Sequence, residues 1–202
     1  TYQSKVTVKI NTQQDILVMD PEQDAMMLIA SLMAVSARTA PKGKGTDTIV
    51  TRIISGDELE KVAGEMIRIG ERTGLPPFPR DAQNIKDCAA CVLIGCKGTE
   101  DLGLNCGGCG YYSCKEMREK VSKDPVRSLF DGPNCVIRMA DLGIAVGSAV
   151  KTAQMHNADN RIFFTAGVAA LSLQMLPGCT CAYGIPLSAT GKNIFFDRRP
   201  VS

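Results

Sequence analysis

Cys106-Gly-Gly-Cys109-Gly-Tyr-Tyr-Ser-Cys114 is the run of residues in this chain with the most evident capacity for chemistry, and Cys135 follows it after twenty intervening residues. Three closely spaced thiols on a loop can wrap one side of an inorganic core, and a fourth from elsewhere closes the other side, as a [4Fe–4S] cubane requires. Glycines at 107, 108 and 110 suit that task. Without Cβ atoms the backbone can bend sharply and turn its N–H groups toward sulfur. Two other readings stay open. Structural zinc also takes four cysteines, though usually as two paired knuckles, and the thiols can simply be free.

Electrostatics favours the cluster. Gly132-Pro133-Asn134 places Cys135 at the start of a long helix running to about Asn157, and Cys114 falls in the first turn of a shorter helix, Ser113–Val121. Helix N-termini present free N–H groups and partial positive charge to an anionic core. Tyr111 and Tyr112 are expected to shield it from water.

The chain holds nine cysteines. Cys88, Cys91 and Cys96 repeat the spacing of the first three, but Asp87–Gly95 reads as a buried strand, where residues three apart face opposite sides. Without glycines around them, they read as core thiols. Cys179 and Cys181, after Pro177-Gly178, read as loop thiols, with extra ligands or a redox pair as the alternative.

A second candidate site is cationic. Arg38, Lys42 and Lys44 lie in or beside the loop Ala40-Pro-Lys-Gly-Lys-Gly45, and Lys192, Arg198 and Arg199 could join them from the tail. Together they could bind a flavin phosphate or an acidic substrate, with glycines 43 and 45 allowing close approach; the alternative is a solvated basic loop. The single histidine, His156, sits near the end of the long helix, where a cation suits the helix dipole. Asp141, Asp159 and Arg161 read equally as a buried ion pair or as site residues.

These residues need a scaffold. The chain has 202 residues, is 45% hydrophobic and 22% charged, and carries a net charge of +2. That suits one compact domain spanning 1–202, with 102–136 as an inserted cluster-binding segment. Basic residues are scattered and Trp is absent, which argues against a nucleic-acid partner. No stretch approaches the ~20 apolar residues of a membrane span, and the start shows no signal peptide, so a cytoplasmic location is expected. Lys5–Ile10 reads as a strand, and Asp20-Pro21 opens a helix through Arg38. Thr46–Ile54 is β-branched, Asp57–Thr73 is an amphipathic helix closed by Gly74, and Leu75–Pro79 is expected to be irregular. Ile162–Phe164 reads as a strand, Ala166–Met175 as a helix and Ala182–Leu187 as a last strand. The alternation predicts an α/β or α+β sandwich around a mixed sheet flanked by helices, with α+β the preferred class.

Leu104-Asn-Cys-Gly-Gly-Cys-Gly110 with Cys114 resembles the small four-cysteine iron–sulfur module of the corrinoid iron–sulfur protein large subunit. The wider chain is similar to an uncharacterised family of prokaryotic ferredoxin-domain proteins. The carriers are Arg38-Thr-Ala-Pro-Lys42, the cysteine loop, Gly132-Pro-Asn-Cys135, Asp141-Leu-Gly-Ile-Ala-Val-Gly-Ser148, Asp159-Asn-Arg161, Tyr183-Gly-Ile-Pro-Leu-Ser188, Gly191-Lys-Asn193 and Phe196-Asp-Arg198. This resemblance implies a bound cluster on Cys106, Cys109, Cys114 and Cys135. A weaker one runs to the FMN-dependent nitroreductases, through Ser36-Ala-Arg-Thr-Ala-Pro-Lys42 before a strand, the helix with Asp141-Leu-Gly143, and the strand with Gly184-Ile-Pro186. It implies a nitroreductase-like fold and a homodimer with FMN at the subunit interface. The Arg-rich signature that grips the FMN phosphate is absent before Met19, and Lys42-Gly-Lys-Gly45 stands where those enzymes place a flavin-touching Asn.

Three functions fit. One is a redox enzyme passing electrons from a cluster to a flavin or small-molecule substrate. Another is an electron-transfer or sensor protein that docks on a redox partner protein, and the third is a zinc-stabilised structural protein.

Overall fold

The computed structural model describes residues 20–196. The expected strand Lys5–Ile10, and Arg198 and Arg199 of the tail, lie outside these residues. Helix α1 (Pro21–Thr39) starts where the sequence places it: Pro21 needs no N–H partner in the first turn, and Asp20 accepts a hydrogen bond from the Gln23 amide at 3.0 Å. Helix α2 (Asp57–Thr73) ends on Gly74 at φ +70°, a left-handed cap that glycine adopts without strain.

The stretch expected to be irregular instead opens helix α3 (Pro77–Lys86). Pro77 and Pro79 sit in its first turn, where amide hydrogens have no helical acceptor, so the prolines cost nothing there.

Strands β1 (Ile49–Ile54) and β2 (Ala90–Cys96) pair with each other, and β5 (Asp159–Asn160) and β6 (Cys181–Ser188) complete a sheet of order β1-β2-β6-β5. Every pairing among the described residues is antiparallel, where the sequence suggests a mixed sheet. The register sets Leu93 opposite Gly184 and Ile54 opposite Cys91. Ile162–Phe164 contributes only a bridge, Phe163 to Gly184, because helix α6 (Phe164–Ser172) begins at once.

Strand β2 is buried on both faces, which is why it reads as a continuous apolar run. Ala90, Val92, Ile94 and Cys96 pack with α1 and α5 (Val136–Met155). Cys91 and Leu93 face the opposite core, built by α2, α3 and α6. Each fully buried Leu or Ile contributes about 1.5–3 kcal/mol, so this central strand fixes both layers. Helix α6 lies directly on β6: a Cβ at Gly167 would stand 1.9 Å from the Ala182 carbonyl oxygen. The result is an α+β sandwich, helices on both faces of one sheet.

Between β2 and α5 the chain leaves the sandwich. It forms helix α4 (Cys114–Lys123) and a small ribbon of β3 (Val126–Arg127) and β4 (Asp131–Gly132), then returns. The Cys135 amide donates to the Gly98 carbonyl at 2.8 Å, so the two ends of this excursion meet. Among the described residues no helix is long and apolar enough to cross a membrane.

Candidate metal centre

Cys135 is held from several sides. It is the N-cap of α5. Beside it, Thr180 Oγ1 accepts from the Gly98 amide at 3.1 Å and donates to Asn134 Oδ1 at 2.6 Å, while Asn134 Nδ2 donates to the Asp131 carbonyl at 2.7 Å. Gly98 permits this knot, since a Cβ there would stand 2.2 Å from Asn134 Oδ1.

The three-cysteine loop is shaped by its glycines. Gly107 and Gly110 take φ of +74° and +87°, and the Gly110 amide closes a turn onto the Gly107 carbonyl at 2.9 Å. Asn105, also at positive φ, is the brace. Its side chain accepts from the Cys114 amide at 2.9 Å, and its own amide donates to Cys114 Sγ at 3.4 Å. Cys114 opens α4, whose N-cap Ser113 accepts from the Glu116 amide at 3.2 Å and donates its hydroxyl to Glu116 Oε1 at 3.1 Å.

The loop then lies against the start of α5. Gly108 approaches Val136 so closely that a Cβ would stand 2.5 Å from Val136 Cγ1. Leu102, Met117 and Cys135 form a small buried cluster, with Cys109, Tyr111 and Ile137 packed against it. Thus Cys109 and Cys135 share one apolar nest, Cys114 stands at a helix N-terminus beside a backbone donor, and Cys106 is exposed. The tyrosines divide: Tyr111 packs into the nest, whereas Tyr112 is 93% exposed and shields nothing.

Among the described residues, no three His, Cys, Asp or Glu side chains are gathered closely enough to hold a metal ion. A cubane spreads its thiolates more widely than one ion does, because irons and sulfides stand between them. Two thiols in one apolar nest, two more on the loop and helix that pack beside it, a helix capped at Cys135 and an N–H aimed at the Cys114 sulfur are a donor set whose chemistry fits such a group. Asp101 braces the same segment. Burial works to raise its pKa, but hydrogen bonds from Arg118 at 2.5 Å and from the Gly103 amide at 2.8 Å hold it below the usual value.

The basic loop meets this nest. Gly43–Gly45 is a short 3-10 turn with Lys44 in left-handed backbone, φ 53°. A Cβ at Gly43 would stand 2.6 Å from Leu102 Cδ2 and 2.9 Å from Ile137 Cγ2. Lys44 Nζ donates to the Leu102 carbonyl at 2.8 Å. Lys42 Nζ caps the end of α1 through the carbonyls of Ala37 and Arg38, and Arg38 pairs with Asp47 at 2.5 Å. These three cations therefore already have protein partners. Lys192 lies next to Asn193, which binds Asp159 of β5 at 2.9 Å, on the sheet edge opposite β1. One chain does not bring it to the other three.

Sequence reading missed Arg138. It is 2% exposed and pairs with Asp141 at 3.0 Å; its Nε also binds the Glu100 carbonyl at 2.7 Å. The signal was present as an Arg and an Asp three apart on one helix. Of the other polar candidates, Arg161 donates to the Phe195 carbonyl at 2.8 Å and stacks on Phe196, and His156 is the C-cap of α5.

Of the remaining thiols, Cys88, Cys91, Cys96 and Cys181 are core residues, the last opening β6 and not in the loop where the sequence places it, while Cys179 is a partly buried loop thiol. Cys88 donates to the Ile85 carbonyl at 3.1 Å, and Cys91 is buried beside it on the same face of the sheet, while Cys96 faces the other core. Burial pushes Cys88 and Cys179 up to about 12 and Cys181 to about 11. At neutral pH all three stay neutral thiols.

Two family descriptions match the chain. "Uncharacterized protein containing a ferredoxin domain" matches residues 131–198, and "Putative Fe-S cluster" matches residues 103–127. The second contains Cys106, Cys109 and Cys114, and the first contains Cys135. An uncharacterized protein of Archaeoglobus fulgidus is 44% identical over 181 residues, covering 90% of this chain and 96% of its own length. Among solved structures, a BluB-like flavoprotein from Clostridium difficile 630 is similar, with a TM-score of 0.51 at 15% identity, covering 87% of this chain and 84% of that one. Nitroreductase A from Vibrio parahaemolyticus has a TM-score of 0.49 at 10% identity; the match covers 82% of this chain and 60% of the length of that one. At 15% identity the likeness to the flavoprotein concerns the fold alone, and helices around one sheet agree with the α+β sandwich expected from the sequence.

Proposed function

This chain belongs to the family of uncharacterized proteins containing a ferredoxin domain, and from that premise we propose that it is an iron–sulfur redox protein holding one [4Fe–4S] cluster on Cys106, Cys109, Cys114 and Cys135. One observation carries the ligand set: Gly108 seats the three-cysteine loop on Val136, the residue after Cys135. A cluster bound there supplies electrons one at a time, and a flavin beside it would convert them to pairs.

The enzyme reading rests on adjacency. The turn Gly43–Gly45 packs on Leu102 and Ile137 and so borders the cysteine nest. An anion drawn to Lys42, Lys44 and Arg38, whether the phosphate of FMN or an acidic substrate, would sit within a few side chains of the cluster ligands. Countercharge there comes at a cost, because each cation would have to share its present partner. Lys192, beside the opposite sheet edge, would reach this site only from a second copy.

A homodimer is supported by the outer face of α1. Leu28, Leu32 and Val35 are exposed there at helical spacing, and Ile144 of the neighbouring α5 is also exposed. Such an apolar stripe along α1 suits a self-complementary interface.

Anaerobic purification followed by a visible spectrum and a flavin fluorescence assay tests the function. A broad brown absorbance with co-purifying flavin supports the enzyme reading. A brown, flavin-free protein that does not bind added FMN points instead to electron transfer to a partner protein. A colourless protein that retains zinc overturns the proposal.

A further inference from the structure

Arg138 and Asp141 form a buried ion pair one turn inside the helix that Cys135 caps, 2% and 3% exposed. Burying two ions costs several kcal/mol each after relaxation, and apolar replacements of such pairs are often neutral or stabilising. Stability alone is therefore a poor reason for this pair. Its placement suggests a better one.

The guanidinium is fixed by four acceptors. Nε donates to the Glu100 carbonyl at 2.7 Å, and NH1 reaches the Thr46 carbonyl at 3.0 Å, the Gly43 carbonyl at 3.5 Å and Asp141 Oδ2 at 3.0 Å. Asp141 Oδ1 accepts from the Gly43 amide at 2.8 Å. Side chains on a helix lean toward its N-terminus, and Asp141 starts about 4.5 Å farther along the axis than Arg138. Cys135 caps the helix three residues before Arg138 and six before Asp141, so the positive member of the pair starts nearer the capping cysteine, while both members reach Gly43. Of the other nearby charges, Asp101 pairs with Arg118 at 2.5 Å and Lys97 with Glu100 at 3.8 Å, while Lys44 binds the Leu102 carbonyl at 2.8 Å and adds a cation at the rim.

We propose that Arg138 and Asp141 are positioning residues whose buried charges set the reduction potential of a cluster held at Cys135. This rests on the cluster reading above. Reduction adds one negative charge to the cluster. A buried guanidinium starting one turn from the capping cysteine favours the reduced form, and the carboxylate one turn farther along moderates the effect. The same bonds tie Gly43, Thr46 and Glu100 to α5, so the pair also holds the basic turn against the nest.

The test is an anaerobic potentiometric titration with dithionite, followed by visible absorbance, on the iron-loaded wild type and its variants. Arg138→Met should lower the midpoint potential, Asp141→Asn should raise it, and Arg138→Lys should stay near wild type. A purely structural role cannot produce opposite signs from two partners of one pair. If Arg138→Met does not fold, Arg138→Met/Asp141→Leu removes both charges and should fall between the wild type and the value expected for loss of the arginine alone. Equal or same-direction shifts at unchanged iron content overturn the inference. A wild type without iron overturns the cluster reading itself.

Discussion

Gly108 and Val136 are in such close apposition that a single methyl group cannot be added between them: its carbon would stand 2.5 Å from Val136 Cγ1 and 3.3 Å from Val136 Cβ. Valine is stiff at χ1, so its side chain cannot swing clear cheaply. Gly108→Ala should push the cysteine loop off α5 and cut iron retention several-fold in anaerobic preparations. Circular dichroism should stay near wild type, because the loop lies outside the sandwich. Adding Val136→Ala should restore iron, and failure of that rescue would argue against steric seating.

Thr180 joins Gly98 to Asn134 and so fixes the residue before Cys135. Thr180→Val keeps the shape and removes both hydrogen bonds. A loss of about 1–3 kcal/mol is expected from the unsatisfied partners, with faster iron release to a chelator. Urea unfolding and the chelator rate check it; an unchanged rate would mean that the knot does not hold Cys135.

The exposed stripe on α1 predicts self-association. Leu28→Glu/Leu32→Glu should convert a dimer to a monomer without unfolding it, since both side chains are already exposed, at 63% and 39%. Light scattering after gel filtration reads the mass. A wild type that runs as a monomer at micromolar concentration would remove the interface.

Burial raises Cys88 to about 12 and Cys181 to about 11, from 9.0. Their folded pKa values lie above the unfolded one. The stability they contribute is therefore complete below about pH 9 and is lost as pH rises through 11–12. Urea midpoints should fall between pH 8 and pH 10.5, and Cys88→Ala should flatten that fall. An equal slope in the variant would assign the effect to other groups.

Much of the scaffold was legible in the chain. Asp20-Pro21 and Gly74 marked helix ends because caps are local chemistry, and β2 announced itself because burial on both faces leaves no polar alternation. Helix α3 was not legible: three prolines read as breakers, and only the fold shows Pro77 and Pro79 in a first turn where they are harmless. The cysteine spacing indicated the loop and its glycines. It could not reveal that Gly43 lies on Leu102 and Ile137, a contact between segments far apart in sequence. Nor did it reveal that Lys42 and Lys44 are committed to backbone carbonyls, since hydrogen-bond partners of long side chains are set by tertiary packing.

The most direct test is a count of iron and sulfide in anaerobically prepared protein, repeated on cysteine variants. About four of each per chain are expected in the wild type, as for a cubane. Cys135→Ala and Cys106→Ala should each lose most of both, whereas Cys91→Ala should lose neither. Full iron retention in Cys135→Ala would contradict the proposed ligand set.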